Sequence, residues 1–262
     1  MSDNSSPDKS ESKDFPIENE DVEANFPQKN VETSSQSQEK PARFEQSGGL
    51  DFNFIAYDEK IVIVGASGSG KTYLANQIMK GLNGITVWVY DPNYQFHSSR
   101  AMVFNDLAEM LKVYDSANRG HYILQPHDGS EHTFRRFNAE AFKRGNIVLI
   151  EDEIHNHLTK QRVLKEFNQV ILSGRPRGLS VISISSRPAS CPNHILSNSK
   201  HVFAFKLNLE SDVKFLEGYL GEDVWILMPP DKRSRLKDEP ALEDHTFFYR
   251  DMDLDHGVIG KV

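Results

Sequence analysis

Short apolar runs alternate with amphipathic stretches through most of the chain, and this alternation is typical of α/β proteins. The apolar runs are nearly continuous, which indicates strands that are covered on both faces, as in a parallel sheet. We predict strands at 60–64, 85–90, 121–125, 146–151, 179–185 and 201–206. We predict helices at 71–82, 104–113, 137–143, 155–172 and 209–220, and an edge strand at 245–249. The pattern therefore predicts a mostly parallel sheet with helices on both faces.

The first part of the chain lacks this pattern. Residues 1–46 are rich in Ser, Asp, Glu, Asn, Gln and Lys, and they include 11 acidic and 5 basic residues. Such a segment buries too little apolar surface to offset the entropy lost on ordering. We therefore predict a disordered acidic tail at 1–46, followed by a folded domain at 47–262 that begins with a hinge at 47–49. The tail accounts for most of the net charge of −8, which argues against a generally basic, nucleic-acid-coating protein.

The number of cysteines and the hydropathy of the chain limit the cellular compartments in which the protein is expected. Cys191 is the one cysteine, so an internal disulfide is excluded and a reducing, cytoplasmic setting is expected. No histidine or aspartate partner is signalled near Cys191, so we interpret it as a small buried residue. No apolar run reaches the roughly 18 residues that a membrane span needs.

A glycine-rich loop between the first predicted strand and helix carries the clearest chemistry. It reads Gly65-Ala66-Ser67-Gly68-Ser69-Gly70-Lys71-Thr72, followed by Tyr73. The spacing matches the phosphate-binding loop G-x-x-x-x-G-K-[ST]. Its backbone N–H groups and the helix N-terminus can bind phosphate, Lys71 can reach the β- and γ-phosphates, and the Thr72 hydroxyl can hold Mg²⁺. The motif predicts a P-loop NTPase core of the RecA-like type that binds ATP and Mg²⁺.

The strand predicted at 146–151 ends in three carboxylates, Glu151, Asp152 and Glu153. The end of a parallel strand is where an α/β sheet presents its ligands. We assign Asp152 to the metal and Glu153 to the attacking water, in the roles that such carboxylates have beside a nucleotide. The pair Glu151-Asp152 would serve the same pattern one residue earlier. An acidic loop that caps the following helix is the other interpretation.

The residues His155-Asn156-His157 come next, and their spacing gives no metal site. Two histidines at positions i and i+2 do not share a helix face. We therefore interpret them as exposed polar residues on the first turn of a helix.

Two arginine-containing turns flank the strand predicted at 179–185. Arg175 and Arg177 precede it, and Ser186 and Arg187 follow its end. A polar residue at such a strand end can contact the γ-phosphate or the attacking water. We expect Arg175 near the nucleotide edge of the sheet, facing away from its own Lys71. In a ring it would complete the neighbour's site as an arginine finger does. The alternative is that both preceding arginines are solvated turn residues.

The order of these features resembles the FtsK–HerA superfamily of DNA-pumping ATPases. The order runs from the phosphate loop through a strand ending Tyr90-Asp91-Pro92 and the acidic strand to Arg175, Gly178 and a strand ending Ser185-Ser186-Arg187-Pro188. The tracts 195–199 and 203–205 also resemble the stretch after that strand in the family. The resemblance covers about 55–220. It implies ATP-driven translocation of double-stranded DNA by a ring-shaped homo-oligomer, as a hexamer, with Arg175 as the finger.

Ser186 departs from the family, which usually has glutamine there. The chain also lacks the membrane segments of the FtsK branch and the extra barrel of HerA. Compact members of the superfamily are typical of viral genome packaging. That branch implies capsid or portal-vertex partners and a location in the host cytoplasm or the virion. Plasmid mobilisation, DNA-end processing and a nucleotide-switched assembly protein that moves no DNA are the alternatives.

A small basic track for DNA is compatible with the net charge. The candidates are Lys143, Arg144, Lys160, Arg162 and Lys165. Contacts from these residues to phosphates would be independent of sequence and sensitive to salt. A solvated helix face explains the last three equally well.

Overall fold

The computed structural model describes residues 59–253 and 257–262. The predicted tail at 1–46 and the hinge at 47–49 lie outside the described residues, and so does the tail's boundary with the folded domain.

Nine strands within the described residues form one sheet. They are β1 Lys60–Val64, β2 Val87–Tyr90, β3 Ala101–Phe104, β4 His121–Leu124, β5 Ile147–Glu151, β6 Leu179–Ser185, β7 His201–Phe205, β8 Thr246–Asp251 and β9 Val258–Lys261. Their order across the sheet is β3-β4-β2-β5-β6-β1-β7-β8-β9. The strands from β3 to β7 in that order run parallel, and β8 and β9 are antiparallel additions. The prediction of a mostly parallel sheet is confirmed.

Helices cover both faces of the sheet, as predicted. They are α1 Lys71–Gly81, α2 Leu107–Ala117, α3 Glu131–Arg144, α4 Lys165–Ser173, α5 Asn193–Ser197 and α6 Glu210–Leu220. Side chains alternate between the faces of each strand. In β1, Ile61 and Ile63 pack in the apolar cluster that includes α1, while Val62 and Val64 pack in the cluster of the other helices. Both faces of a central strand are thus buried, which explains the continuous apolar runs.

Two predicted elements differ from the structure, and one strand of the structure is not among the predicted ones. The stretch predicted as one helix at 155–172 is a short 3-10 helix at Ile154–Asn156, then a tight turn, then α4. In the turn, Thr159 and Arg162 exchange backbone hydrogen bonds of 2.9 and 3.1 Å, which replace helical ones. The run at 245–249 is not an edge strand, because β9 pairs with β8 on its outer side. Strand β3 was not predicted, since it is short and only partly buried.

Helix starts follow capping residues that the periodicity missed. Helix α3 begins at Glu131 and not at 137, because Ser130 precedes it and its hydroxyl accepts a hydrogen bond from the Thr133 N–H. Helix α2 begins after Asp106, whose carboxylate accepts from the Glu109 N–H. Serine and aspartate are preferred at this position because they satisfy N–H groups that the first turn leaves without partners.

Candidate active site

The glycine-rich loop 65–70 joins the end of β1 to the start of α1 at the carboxyl edge of the sheet. Gly65 has φ 152°, and a Cβ there would lie 2.6 Å from the Cβ of Phe205. Gly70 has φ 112° and precedes the first residue of α1. Both positions lie in the region that favours glycine, and the first turn of α1 presents N–H groups without helical partners. The loop therefore has the backbone that phosphate binding requires.

Lys71 lies inside this loop. Its side chain is buried, and Nζ donates a hydrogen bond to the Ala66 carbonyl at 3.0 Å. Burial lowers the pKa of Lys71, while the carboxylates of Glu153 and Asp152 oppose that shift. An ammonium held this way faces the place where phosphate oxygens would lie.

Thr72 is fixed by a neighbouring loop. Its hydroxyl donates to Gln95 Oε1 at 3.1 Å. The carboxylate of Asp91 holds that loop, since it accepts from the N–H groups of Gln95 and Phe96 at 3.0 and 2.9 Å and from Gln125 Nε2 at 2.8 Å. Sequence reasoning missed Gln95, which carries no motif signal and comes close only through the fold.

The three carboxylates at the end of β5 lie in three different environments. Glu151 is fully buried, and its Oε1 accepts from Asn138 Nδ2 at 2.7 Å on the face that α3 covers. Burial raises the pKa of Glu151 to about 8. Glu153, in contrast, lines the cavity that contains Lys71 and Thr72. These positions favour the register in which Asp152 and Glu153 serve the nucleotide.

Asp152 is buried beside other acids. Burial first, then the charges of Glu153 and Asp91, raise the pKa of Asp152 to about 7, with a small opposing effect from Asn93 and Lys71. Neither carboxylate oxygen has a well-formed hydrogen bond within the described residues. A divalent cation nearby would relieve this unfavourable burial, because carboxylate and hydroxyl oxygens are ligands that Mg²⁺ accepts.

Mg²⁺ would need further ligands beyond this chain. No three His, Cys, Asp or Glu side chains in the described ranges are arranged to hold a metal by themselves. Thr72 and Asp152 fit the usual arrangement, in which Mg²⁺ keeps several waters and binds nucleotide phosphates.

Glu153 has an unusual backbone and a fixed side chain. It has φ 49° and ψ 48°, the left-handed region, which is uncommon for residues other than glycine. Its Oε2 accepts from the Ser186 N–H at 3.1 Å and the Ser186 hydroxyl at 3.0 Å, and lies 3.0 Å from His155 Nδ1. Burial raises the pKa of Glu153, but the contacts from His155, Lys71 and Ser186 together lower it below the ordinary value.

The expectation that His155 and His157 are exposed on a first helical turn is wrong. His155 is half-buried against Glu153 and the end of β6. His157 is 6% exposed, and its ring stacks on Phe134 with centroids 4.4 Å apart. Burial lowers the pKa of His157. The left-handed turn at Glu153 breaks the helical geometry on which the expectation depended.

A cavity of about 510 Å³ opens at this edge of the sheet. It is lined by Ser67, Gly68, Gly70, Lys71, Thr72, Tyr73, Gln95, Glu153, His245 and Val262. His245 and Val262 come from the β8–β9 region, and no sequence signal pointed to them. Ser186 lies behind Glu153, outside this lining.

Arg175 does not lie near the nucleotide edge of the sheet. Strand β6 runs parallel to β1 and pairs Lys60 with Val181 and Val64 with Ser185. Arg175 precedes the start of β6, so it lies at the amino edge, while the phosphate loop follows the end of β1. The seven residues of β6 span about 23 Å. Arg175 is exposed in its 3-10 turn, and its own phosphate loop is at the other end of the strand.

The candidate basic track is divided between the two edges. Lys143 and Arg144 end α3 before β5 begins, whereas Lys160, Arg162 and Lys165 follow the end of β5. Several have partners within the protein. Arg144 pairs with Asp115 and Glu140, Arg162 pairs with Glu131, and Lys160 lies 4.6 Å from the ring centre of Phe215.

Two further expectations can be compared with the structure. Cys191 is 5% exposed, which agrees with its interpretation as a small buried residue. Among the helices that the structure describes, none combines the length and the apolar character needed to span a bilayer.

Comparisons with known proteins agree with this geometry. Residues 56–185 match the protein family described as AAA domain. No curated protein sequence matches the chain. Among solved structures, the sulfate complex of the genome packaging NTPase B204 from Sulfolobus turreted icosahedral virus 2 aligns with a TM-score of 0.60 and 19% identity, over 79% of this chain and 98% of B204. The complex of B204 with AMPPCP aligns with a TM-score of 0.58 and 19% identity, over 78% and 97% of the two chains.

The likeness confirms the fold that the sequence predicts. The phosphate loop, the ends of the parallel strands and the acids that follow β5 meet at the carboxyl edge, where open α/β sheets bind their ligands. The chain therefore carries an AAA-type P-loop domain within residues 56–185 and has the fold of a P-loop ATPase.

Proposed function

We propose that the protein is an ATP-driven translocase of double-stranded DNA that works as a homo-oligomeric ring in viral genome packaging. The observation that carries this proposal is the alignment with B204, which takes in 98% of a chain described as a genome packaging NTPase. The block from Arg175 to Pro188, which resembles the FtsK–HerA superfamily, supports the same function independently.

The phosphates of ATP would bind along the loop 65–70 and the N-terminus of α1. Lys71 would contact the β- and γ-phosphates, and Tyr73 would lie beside the nucleotide. Thr72 and Asp152 would hold Mg²⁺, which when bound neutralises charge on the phosphate oxygens. The buried position of Asp152 without a well-formed hydrogen bond supports this assignment.

Glu153 would act on the attacking water. The water oxygen forms a bond to the γ-phosphorus, the bond from that phosphorus to the β–γ bridging oxygen breaks, and the water proton passes to the carboxylate. The products are ADP and phosphate. Oε2 of Glu153 already accepts hydrogen bonds from Ser186, so the proton would pass to Oε1.

Ser186 would serve this reaction by holding Glu153. In the resembling family a longer glutamine side chain usually occupies the position. Here the serine hydroxyl donates to Glu153 at 3.0 Å, and the serine lies outside the cavity lining. We therefore assign Ser186 to the orientation of the carboxylate and not to contact with the γ-phosphate.

Arg175 would act across a subunit boundary of the proposed ring. A residue about 23 Å along the sheet from its own phosphate loop cannot reach its own nucleotide. In a head-to-tail ring, however, one subunit's carboxyl edge can face a different surface of the next subunit. Arg175 would then complete the neighbour's site.

The deciding experiment measures ATP hydrolysis and DNA movement together. A translocase should hydrolyse ATP faster when double-stranded DNA is added, and should displace a third strand from a triplex in an ATP-dependent reaction. Glu153→Gln protein is the control for contaminating ATPases. Stimulation without strand displacement would contradict translocation. Hydrolysis that ignores DNA and responds to a protein partner would indicate the nucleotide-switched assembly protein instead.

A second assay addresses packaging itself. Empty viral particles, added with ATP and linear DNA, should protect that DNA from nuclease in the presence of the wild-type protein. Protection should be lost with Glu153→Gln. Strand displacement without protection would favour plasmid mobilisation or DNA-end processing over packaging.

A further inference from the structure

We propose that His155 is a positioning residue that fixes the carboxylate of Glu153 and leaves Oε1 free to receive the water proton. The inference rests on the proposed role of Glu153. It assigns a function to a histidine that neither the phosphate-loop motif nor the acidic strand indicated.

Three donors converge on one oxygen of Glu153. Oε2 lies 3.1 Å from the Ser186 nitrogen, 3.0 Å from the Ser186 hydroxyl and 3.0 Å from His155 Nδ1. A carboxylate with one oxygen anchored in this way cannot rotate freely about its terminal bond. The side chain also lines the cavity that contains Lys71. With Oε2 held by these contacts, Oε1 is the oxygen that we assign to the attacking water.

The contacts to Glu153 come from two segments of the chain. Ser186 follows the end of β6, whereas His155 follows β5 in the chain. His155 contacts both strand ends, because Nδ1 also lies 3.3 Å from the Ser185 hydroxyl and Nε2 lies 3.4 Å from the Ser186 hydroxyl. The imidazole thus connects the acid that follows β5 to the serines at and just after the end of β6.

The local backbone makes this contact possible. Residues at i and i+2 do not face each other in a helix. Glu153 has left-handed φ and ψ, and the 3-10 turn from Ile154 follows at once. This turn brings the side chains of Glu153 and His155 together.

The turn is also anchored on both sides of His155. Ile154 is buried, and the His157 ring stacks on Phe134. The Asn156 and His157 N–H groups donate to the carbonyls of Glu153 and Ile154 at 2.9 and 3.0 Å. His155 is therefore presented by a rigid segment, which suits a residue that must hold another side chain within a fraction of an ångström.

Three substitutions separate positioning from simple packing. His155→Ala removes the donor. In His155→Asn an amide nitrogen is bonded to Cγ, as Nδ1 is in histidine, so a donor remains near the same place. In His155→Gln the amide lies one bond further out, at the distance of Nε2. We expect kcat for basal ATP hydrolysis to fall about 10- to 100-fold in the alanine and glutamine variants and to recover substantially in the asparagine variant.

ATP affinity and folding provide the matched readouts. KM for ATP and the Kd of a fluorescent ATP analogue should change less than about twofold, because no phosphate contact is lost. Thermal unfolding of each variant shows whether the protein is folded. Equal kcat in the asparagine and alanine variants, or a loss confined to KM, would overturn the proposal.

A double substitution tests whether the effect passes through Glu153. In single-turnover measurements, His155→Ala should cost little more in a Glu153→Gln background, since residues that act as a unit are not additive. A full additional loss would refute the inference. Full activity of Glu153→Gln alone would instead refute the proposed role of Glu153, so the two failures are distinguishable.

Discussion

The two edges of the parallel sheet carry charge in opposite ways. At the amino edge, Glu59 pairs with both Lys200 and His201, at 3.0 and 2.7 Å. Arg177 lies over the ring of Phe142, 4.5 Å from its centre. Its carbonyl also accepts from the Asn146 N–H at 2.8 Å, which ties the turn before β6 to the start of β5. These charges have local partners, as in a scaffold.

At the carboxyl edge, acids outnumber bases. Asp152 and Glu153 lie beside Lys71, and Asp91 adds a third carboxylate. Asp152 has no well-formed hydrogen bond, and burial first, then the charges of Glu153 and Asp91, raise its pKa to about 7. Uncompensated buried charge is costly, and it is retained where a ligand or metal completes it. The difference marks one edge as the site and the other as the support on which it is built.

The strongest test of this contrast changes two lysines of α1, one in the site and one outside it. Lys71→Ala should abolish ATP hydrolysis and weaken ATP binding, because it removes the ammonium from the phosphate loop. Lys80→Ala removes a charge from the exposed last turn of the same helix and should leave hydrolysis within about twofold. Steady-state ATPase assays and titration with a fluorescent nucleotide measure both. Normal turnover in Lys71→Ala would place the chemistry elsewhere.

Arg175 lies at the amino edge, but we propose that it takes part in catalysis in the neighbouring subunit. Arg175→Ala should lower turnover by about 10³ to 10⁵, as loss of an arginine finger does in other phosphoryl-transfer enzymes. Arg177→Ala should have a much smaller effect, because Arg177 packs on Phe142.

Mixing distinguishes a finger from a structural arginine. Arg175→Ala and Lys71→Ala proteins should each be nearly inactive, but in random equimolar mixed rings about a quarter of the sites should combine an intact Lys71 with an intact Arg175 of the next subunit. Recovered ATPase activity supports the role in the neighbour's site. No recovery, with subunit exchange demonstrated, would return Arg175 to the scaffold and make Arg177 or Arg187 the next candidates.

Two carboxylates at and just after the end of β5, Glu151 and Glu153, sharpen the comparison within a few residues. Glu153→Gln should retain bound ATP and lower kcat by about 10² to 10⁴, which is the usual contribution of a general base. Glu151→Gln should keep most activity, since Glu151 faces α3 and the amide can still accept from Asn138. The two kcat values, with nucleotide binding as a check on folding, decide the register. The reverse result would move the catalytic pair to Glu151 and Asp152.

Much of this arrangement could be predicted because parallel strands and the phosphate loop leave local signals. The continuous apolar runs mark buried central strands, and the glycine spacing marks the loop. Strand β3 left no such signal, because it is half-exposed at the edge of the sheet. The break near residue 157 was missed since a helical run and a turn with buried Leu158 and Leu164 have similar apolar content.

The errors at the site have a different origin. Arg175 was expected at the nucleotide edge although it precedes a strand, and a residue before a parallel strand lies at the amino edge. The prediction that His155 is an exposed helical residue assumes helical geometry, and the left-handed backbone of Glu153 removes that geometry. Gln95, His245 and Val262 reach the cavity from segments distant in sequence, so only the three-dimensional fold brings them there.

The smallest expected effect concerns Cys191, which lies behind the acidic edge but adds no charge to it. Its Sγ donates to the Ser185 hydroxyl at 3.3 Å, and burial raises the pKa of the thiol to about 11.

At pH 8 the thiolate fraction of Cys191 is then small, so iodoacetamide should label the native protein about 100-fold more slowly than the unfolded protein. The labelling rate should rise as the pH approaches 11, because the raised pKa keeps the thiol protonated below that value. Cys191→Ser should change kcat by less than about twofold, since a hydroxyl can still donate to Ser185. The measurement is mass spectrometry of folded protein labelled at pH 7. Rapid labelling there would show a thiolate at the carboxyl edge. It would contradict the assignment of the negative charge of that edge to Asp91, Asp152 and Glu153 alone.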